Sequence, residues 1–156
     1  MSKEKLSSEQ IKLHSEGAEF LVLGNLLVRG IHATKAYTNY PGWDVMAFNP
    51  ESGKSARIQV KSRFATDALG FLIGNQDFDY LVMAKLNRGR RYTRAREEGE
   101  LSPEFYVIPI SDLKKALRNP KTKSSLGGWR VTLAQLPHDA DTYKDNWQQI
   151  SKFLEL

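Results

Sequence analysis

Three polar residues of this chain lie at a spacing that suits chemistry on a phosphodiester. Asp44 follows Gly42-Trp43, and Gln59-Val60-Lys61 lies beyond the turn-rich stretch Asn49-Pro50-Glu51-Ser52-Gly53-Lys54. Both flanks of that turn have strand character, Trp43 to Phe48 before it and Ala56 to Phe64 after it. In the second flank Ile58 and Val60 alternate with Arg57, Gln59 and Lys61. A hairpin centred near Glu51 and Ser52 sets Asp44 opposite Gln59, Val45 opposite Ile58 and Trp43 opposite Val60. The apolar partners then share one face, and Asp44, Gln59 and Lys61 share the other as cross-strand neighbours. A one-residue slip would destroy the apolar matching, so the pattern selects this register. The carboxylate could bind a hard divalent cation such as Mg²⁺, which prefers oxygen ligands. The Gln59 amide oxygen or the adjacent Val60 carbonyl could add a second ligand. Such a cation makes a bound water more acidic and offsets charge at a phosphate. Lys61 could position that water or stabilise developing charge.

Several elements must hold these residues in place. Ser7-Ser8-Glu9-Gln10 reads as a capping box, and apolar residues from Ile11 to Val28 fall mostly at helical spacing. Residues 8–29 are therefore expected to form a helix, with Gly30 at its end. It carries Glu16 and Glu19. Ile31 to Thr38 is a short strand candidate, and Tyr40-Pro41-Gly42 a turn. Residues 65–78 look irregular, with Asp77 and Asp79 starting or capping the next strand. Tyr80 to Leu86 reads as a buried strand and Phe105 to Ile110 as another. Ser111 is expected to cap a helix reaching about Arg118, ended by Asn119-Pro120. Trp129 to Leu133 is short and extended, and a C-terminal helix is expected over about 141–155. Helices at both ends of a central sheet give the α/β layered class.

Composition narrows the field. The 156 residues carry 23 Lys+Arg against 18 Asp+Glu, a formal charge of +5. That length predicts one domain spanning 1–156. The charge permits a phosphate-rich partner without demanding one. There is no cysteine, which excludes disulfides, thiol nucleophiles and Cys-zinc sites and fits a reducing cytoplasm. No apolar run is long enough to cross a bilayer, and Met1-Ser2-Lys3-Glu4-Lys5 leads into polar residues, which predicts no export. His14, His32 and His138 have no metal-ligand spacing, and Trp43, Trp129 and Trp147 read as core or interface residues.

A basic insert occupies about 87–103. Arg88, Arg90, Arg91, Tyr92, Arg94 and Arg96 are followed by Glu97, Glu98 and Glu100. The cluster reads equally as a solvated loop or as an arm that tracks nucleic-acid phosphates with Tyr92 stacking on a base.

The arrangement of Asp44, then Gln59-Val60-Lys61, resembles the PD-(D/E)XK nuclease superfamily, in the Mrr-like variant where Gln replaces the acidic residue before x-Lys. Gly17-Ala18-Glu19-Phe20-Leu21-Val22 is similar to that superfamily's first helix, and Glu19 matches its site-facing glutamate. Phe78-Asp79-Tyr80-Leu81-Val82 and Phe105-Tyr106-Val107-Ile108-Pro109 are similar to later core strands, so the resemblance covers roughly residues 8–118. It departs at Trp43, where a proline is usual, and at Gln59, which removes one negative charge from the metal site. The resemblance implies a restriction-endonuclease-like three-layer α/β/α fold with a central mixed sheet. It implies a Mg²⁺- or Mn²⁺-dependent nuclease acting on DNA. Asp44 would be the main metal ligand, Gln59 and the Val60 carbonyl would complete the shell, Lys61 would orient the water, and Glu19 would support the metal or a water. Homodimers are common with this fold. A catalytically silent module that binds nucleic acid or a protein partner is the rival reading, and the Gln for acid exchange favours it.

Overall fold

A computed structural model of the chain describes residues 5–36, 42–89 and 100–156. The first helix, α1, spans Ser8–Val28. Its capping box forms as the sequence requires. The Gln10 N–H donates to the Ser7 hydroxyl at 3.1 Å, and the Ser7 N–H donates to Gln10 Oε1 at 2.8 Å. The helix ends in a Schellman turn, with Ile31 N–H on the Leu26 carbonyl and Gly30 N–H on the Leu27 carbonyl, each at 3.0 Å. Gly30 takes φ +76° there, a conformation in which a Cβ would be strained. Leu26 and Ile31 are both buried and bring the chain back onto the core.

Seven strands follow: β1 (His32–Lys35), β2 (Val45–Phe48), β3 (Ser55–Arg63), β4 (Gly70–Ile73), β5 (Tyr80–Lys85), β6 (Glu104–Pro109) and β7 (Trp129–Thr132). Five of them form the central sheet in the order β1-β2-β3-β5-β6. Its β3–β5 pair is parallel and its other pairs are antiparallel, so the sheet is mixed. The β2–β3 ladder runs Val45↔Ile58, Met46↔Arg57, Ala47↔Ala56 and Phe48↔Ser55, the register expected from the alternation. The turn is closed by Asn49 Oδ1, which accepts the Glu51 and Ser52 N–H groups. The ladder stops at Val45, however. Trp43 does not pair with Val60 but packs against the opposite face of the sheet, because the Asp44 carboxylate takes the Val60 N–H.

The sheet separates two cores. On one side Ala18, Val22 and Leu26 of α1 meet Val45, Ile58, Val60, Val82 and Val107, joined by Trp147, Ile150 and Leu154 from the end of the chain. On the other side Leu81, Met83 and Ile108 meet Leu113 and Ala116 of the second helix, α2 (Ile110–Leu117), together with Phe71, Ile73 and Val131. β5 is buried on both faces, as its continuous run Leu81-Val82-Met83-Ala84 requires. The layer on this second side is thus shared between a helix and the β4–β7 ribbon. No helix among the described residues is long and apolar enough to cross a membrane.

Three sequence expectations change and one, at Asp79, is extended. The stretch 65–78 contains β4, whose partner β7 lies far along the chain. α2 begins at Ile110, capped by Pro109 with no side-chain bond, so Ser111 lies inside it. Asp79 precedes β5, and its carboxylate accepts the Arg57 N–H at 2.7 Å, tying β3 to β5 beyond a mere strand start. The helix expected over 141–155 is two short ones, α3 (Ala140–Tyr143) and α4 (Gln148–Phe153). Tyr143 and Trp147 would share a face of one continuous helix, but they belong to the cores on opposite sides of the sheet. The chain therefore wraps the β6 edge between them. Asp145 takes φ +50°, and its N–H donates to the Phe105 carbonyl at 2.8 Å.

The β4–β7 ribbon is close-packed at Gly70, where a Cβ would fall 2.0 Å from the Val131 carbonyl oxygen. Gly70→Ala is expected to destabilise the fold by about 1–3 kcal/mol, the usual range for overpacking. Gly74, with nothing within 4 Å of such a Cβ, supplies the control substitution. Thermal melts of both variants decide it; a wild-type melt for Gly70→Ala would contradict the packing.

Candidate active site

β3 runs on to Arg63, whereas β2 has already ended at Val45. This leaves the N–H of Val60 without a strand neighbour, and Asp44 fills the position. Its Oδ2 accepts the Val60 N–H at 2.8 Å. Its own N–H donates to the Ile58 carbonyl at 2.8 Å, and its carbonyl accepts the Ala36 N–H at 2.9 Å. Asp44 is therefore fixed by backbone contacts to the chains on both sides. Its carboxylate is half-buried. Burial pushes its pKa above the ordinary aspartate value, against the Val60 N–H and the charges of Lys61 and Lys35, which pull it down.

The pleat of the parallel β3–β5 pair sets Gln59 beside Leu81 and Lys61 beside Met83, so both polar residues lie on one face. They are half-buried, on the stretch of β3 that has β5 on one side and no strand on the other. Gln59 Oε1 is buried and has no hydrogen-bond partner. A buried carbonyl oxygen in that condition is costly unless something occupies it. Of the expected residues, Asp44 lies within electrostatic reach of Lys61 on one side and of Glu19 on the other. Val60 joins them through its N–H, and Gln59 is its neighbour in the strand.

Glu19 does not stand alone on α1. Lys35, at the end of β1, donates to Glu19 at 2.9 Å and also to Glu16. The Lys35 side chain is only 6% exposed, so a buried ammonium sits between two helix carboxylates. Burial would lower the Lys35 pKa, but the two carboxylates outweigh it and the shift is upward. Glu19 is also shifted upward, by burial and by the negative charges of Asp44 and Glu16, with Lys35 opposing. Glu16 and Glu19 thus share one cation rather than competing for one role. Lys35 is the site residue that sequence reading misses. Nothing in His32-Ala33-Thr34-Lys35 marks it, because its partners lie on α1 rather than in a neighbouring motif.

The basic insert enters only at its edges. Arg88 pairs with Glu100, and the Arg88 N–H donates to the Phe64 carbonyl at 2.9 Å. Arg90, Arg91, Tyr92, Arg94 and Arg96 lie outside the described residues. The three histidines each rest against an aromatic ring, His14 on Phe64, His32 on Phe48 and His138 on Tyr143.

Among the described residues no three His, Cys, Asp or Glu side chains converge as metal ligands. The oxygens that could hold a metal here are the Asp44 carboxylate, the unsatisfied Gln59 amide oxygen and the Val60 carbonyl. That set fits a hard divalent cation, with one negative charge rather than two to hold it.

The raised carboxylates make a signed pH prediction. A carboxyl whose folded pKa exceeds its unfolded value binds protons preferentially when folded. Its contribution to stability is therefore gained as pH falls toward about 4, and lost as pH rises through the raised value. Denaturant midpoints across this range should show that slope as the difference between wild type and the double variant Asp44→Asn/Glu19→Gln. A difference that does not change with pH would contradict it.

No family model matches the sequence, and no curated protein matches it. The fold is similar to that of a solved bacterial homing endonuclease, I-Ssp6803I, with a TM-score of 0.55, 20% sequence identity, and coverage of 90% of this chain and 92% of that one.

Proposed function

We propose that this chain is a metal-dependent nuclease acting on DNA, of the PD-(D/E)XK superfamily in its Gln-x-Lys variant. The observation that carries the reading is the convergence at the end of β2. Asp44 is fixed on the backbone of Val60, between Gln59 with its unsatisfied buried oxygen and Lys61, and both Lys61 and Glu19 act on it electrostatically. The fold shared with a homing endonuclease supports it.

Asp44, Gln59 Oε1 and the Val60 carbonyl would hold Mg²⁺ or Mn²⁺. When bound, such a cation acidifies a water and neutralises charge at the scissile phosphate. Lys61 orients the attacking water and meets the charge that grows on the phosphate oxygens. Glu19 supports the site from the α1 side, held in orientation by Lys35. The Arg88–Arg96 segment supplies phosphate contacts along the strand.

A second reading has an observation behind it. Glu19 is already engaged by Lys35, the cation it shares with Glu16, and Gln59 brings no charge. These are the features of a catalytically silent module that retains binding. Incubation of supercoiled and single-stranded DNA with Mg²⁺ or Mn²⁺ separates the two. Wild type is expected to cleave and Lys61→Ala to lose roughly 100-fold or more of the rate, as for loss of a charge-stabilising donor. No cleavage by wild type on any substrate, with salt-sensitive DNA binding intact, moves the assignment to the silent module.

A further inference from the structure

Helix α1 is apolar on the side that faces away from the sheet. Leu13, Gly17, Phe20, Gly24 and Leu27 follow one another at alternating spacings of four and three, with Leu21 and Val28 beside them. This is the seam of a packed helix pair. The stripe lies opposite the Ala18, Val22 and Leu26 face that closes the core. Leu13 is 65% exposed, Phe20 48%, Leu27 50% and Val28 81%. No charged residue interrupts it. A Cβ at Gly17 or Gly24 would meet nothing within 4 Å, so each glycine is an open notch. Glycine inside a helix costs about 1 kcal/mol relative to alanine, and among the described residues no close packing at Gly17 or Gly24 offsets it.

We infer that this face is the interface of a homodimer, in which α1 of a second copy packs antiparallel across it. A two-fold interface must be its own complement, and this stripe is. With the axis between Phe20 and Leu21, Gly17 meets Gly24 and Leu13 meets Val28, so the backbones approach in the middle and the bulky ends cover each other. Antiparallel packing also sets opposite ends of the helix dipoles side by side. The exposed apolar surface is on the order of 600 Å² per copy, the upper range for a monomer's largest patch. Pairing would remove on the order of 1,200 Å² in total, which reaches the size of a stable interface. The stripe is continuous with the candidate site: the Lys35 ammonium lies 5.1 Å from the centre of the Phe20 ring.

Sedimentation of the full chain tests the proposal without reference to catalysis, so its failure is separate from failure of the nuclease reading. Wild type is expected to sediment as a dimer, and Leu13→Glu/Leu27→Glu as a monomer with an unchanged circular dichroism spectrum. The chain has no cysteine, so single-cysteine variants report the geometry. Leu21→Cys, near the axis, is expected to form a disulfide-linked dimer on mild oxidation, and Leu13→Cys is not. A monomeric wild type at its solubility limit overturns the proposal. So does a dimer that survives the double glutamate substitution, or a cross-link at Leu13→Cys with none at Leu21→Cys.

Discussion

Asp44→Asn is expected to lower DNA cleavage on the order of 1000-fold, the size seen when a group stabilising transition-state charge is removed, while the protein melts no lower than wild type. The two halves of this expectation come from one arrangement. The carboxylate accepts the Val60 N–H at 2.8 Å, and an asparagine Oδ1 can accept the same bond. What asparagine removes is the negative charge, which burial disfavours at this position. Asparagine carries no such cost, so the melting temperature has no reason to fall. Cleavage at the wild-type rate would remove Asp44 from the site. Lost cleavage with a lower melting temperature would mean that Asp44 is structural and that its charge is not a burden.

The second large effect is at Lys35. Lys35→Ala should destabilise the fold by about 3 kcal/mol, because removing one partner of a buried ion pair leaves the other charge uncompensated. Glu19 is the residue exposed to that loss, since its side chain is only 19% exposed and it is already shifted toward protonation. Glu16 is half-exposed and water can take over its solvation. Adding Glu19→Gln to Lys35→Ala should therefore recover most of the stability, and adding Glu16→Gln should recover little. Urea unfolding of the four proteins gives the result directly. Equal recovery by the two glutamine substitutions would show that the pair is not asymmetric in the way the burial implies.

The hairpin that holds Asp44 was legible because its signals are local. Alternation in Ala56–Phe64 fixes which residues face inward, and Asn49 makes a turn of its own side chain. The capping box of α1 was legible for the same reason. β4 was not. Gly70-Phe71-Leu72-Ile73 is a short apolar run with no adjacent turn, and it becomes a strand only through β7, some sixty positions on. The break between α3 and α4 misled in a different way. Tyr143, Trp147, Ile150 and Leu154 have helical spacing, yet Tyr143 and Trp147 serve different cores. Periodicity reports that residues share a face only when one element carries them. Lys35 shows the third limit. A lysine in a short strand looks solvated, and only the return of α1 over β1 buries it between carboxylates.

The wrap of the chain around the β6 edge also sets an order of events during synthesis. Trp147, Ile150 and Leu154 fill the core under α1, and the Asn49 amide donates to the Leu154 carbonyl across 105 positions. A helix made early therefore waits for a lid made late. Until the 147–154 segment has emerged, α1 can cover its side of the sheet but cannot seal it. Long-range closure of this kind is slow, and an unsealed apolar surface is the usual starting point for association between incomplete chains. Through that interval the core beneath α1 stays open where Trp147, Ile150 and Leu154 will close it, while the outer face of the helix meets solvent.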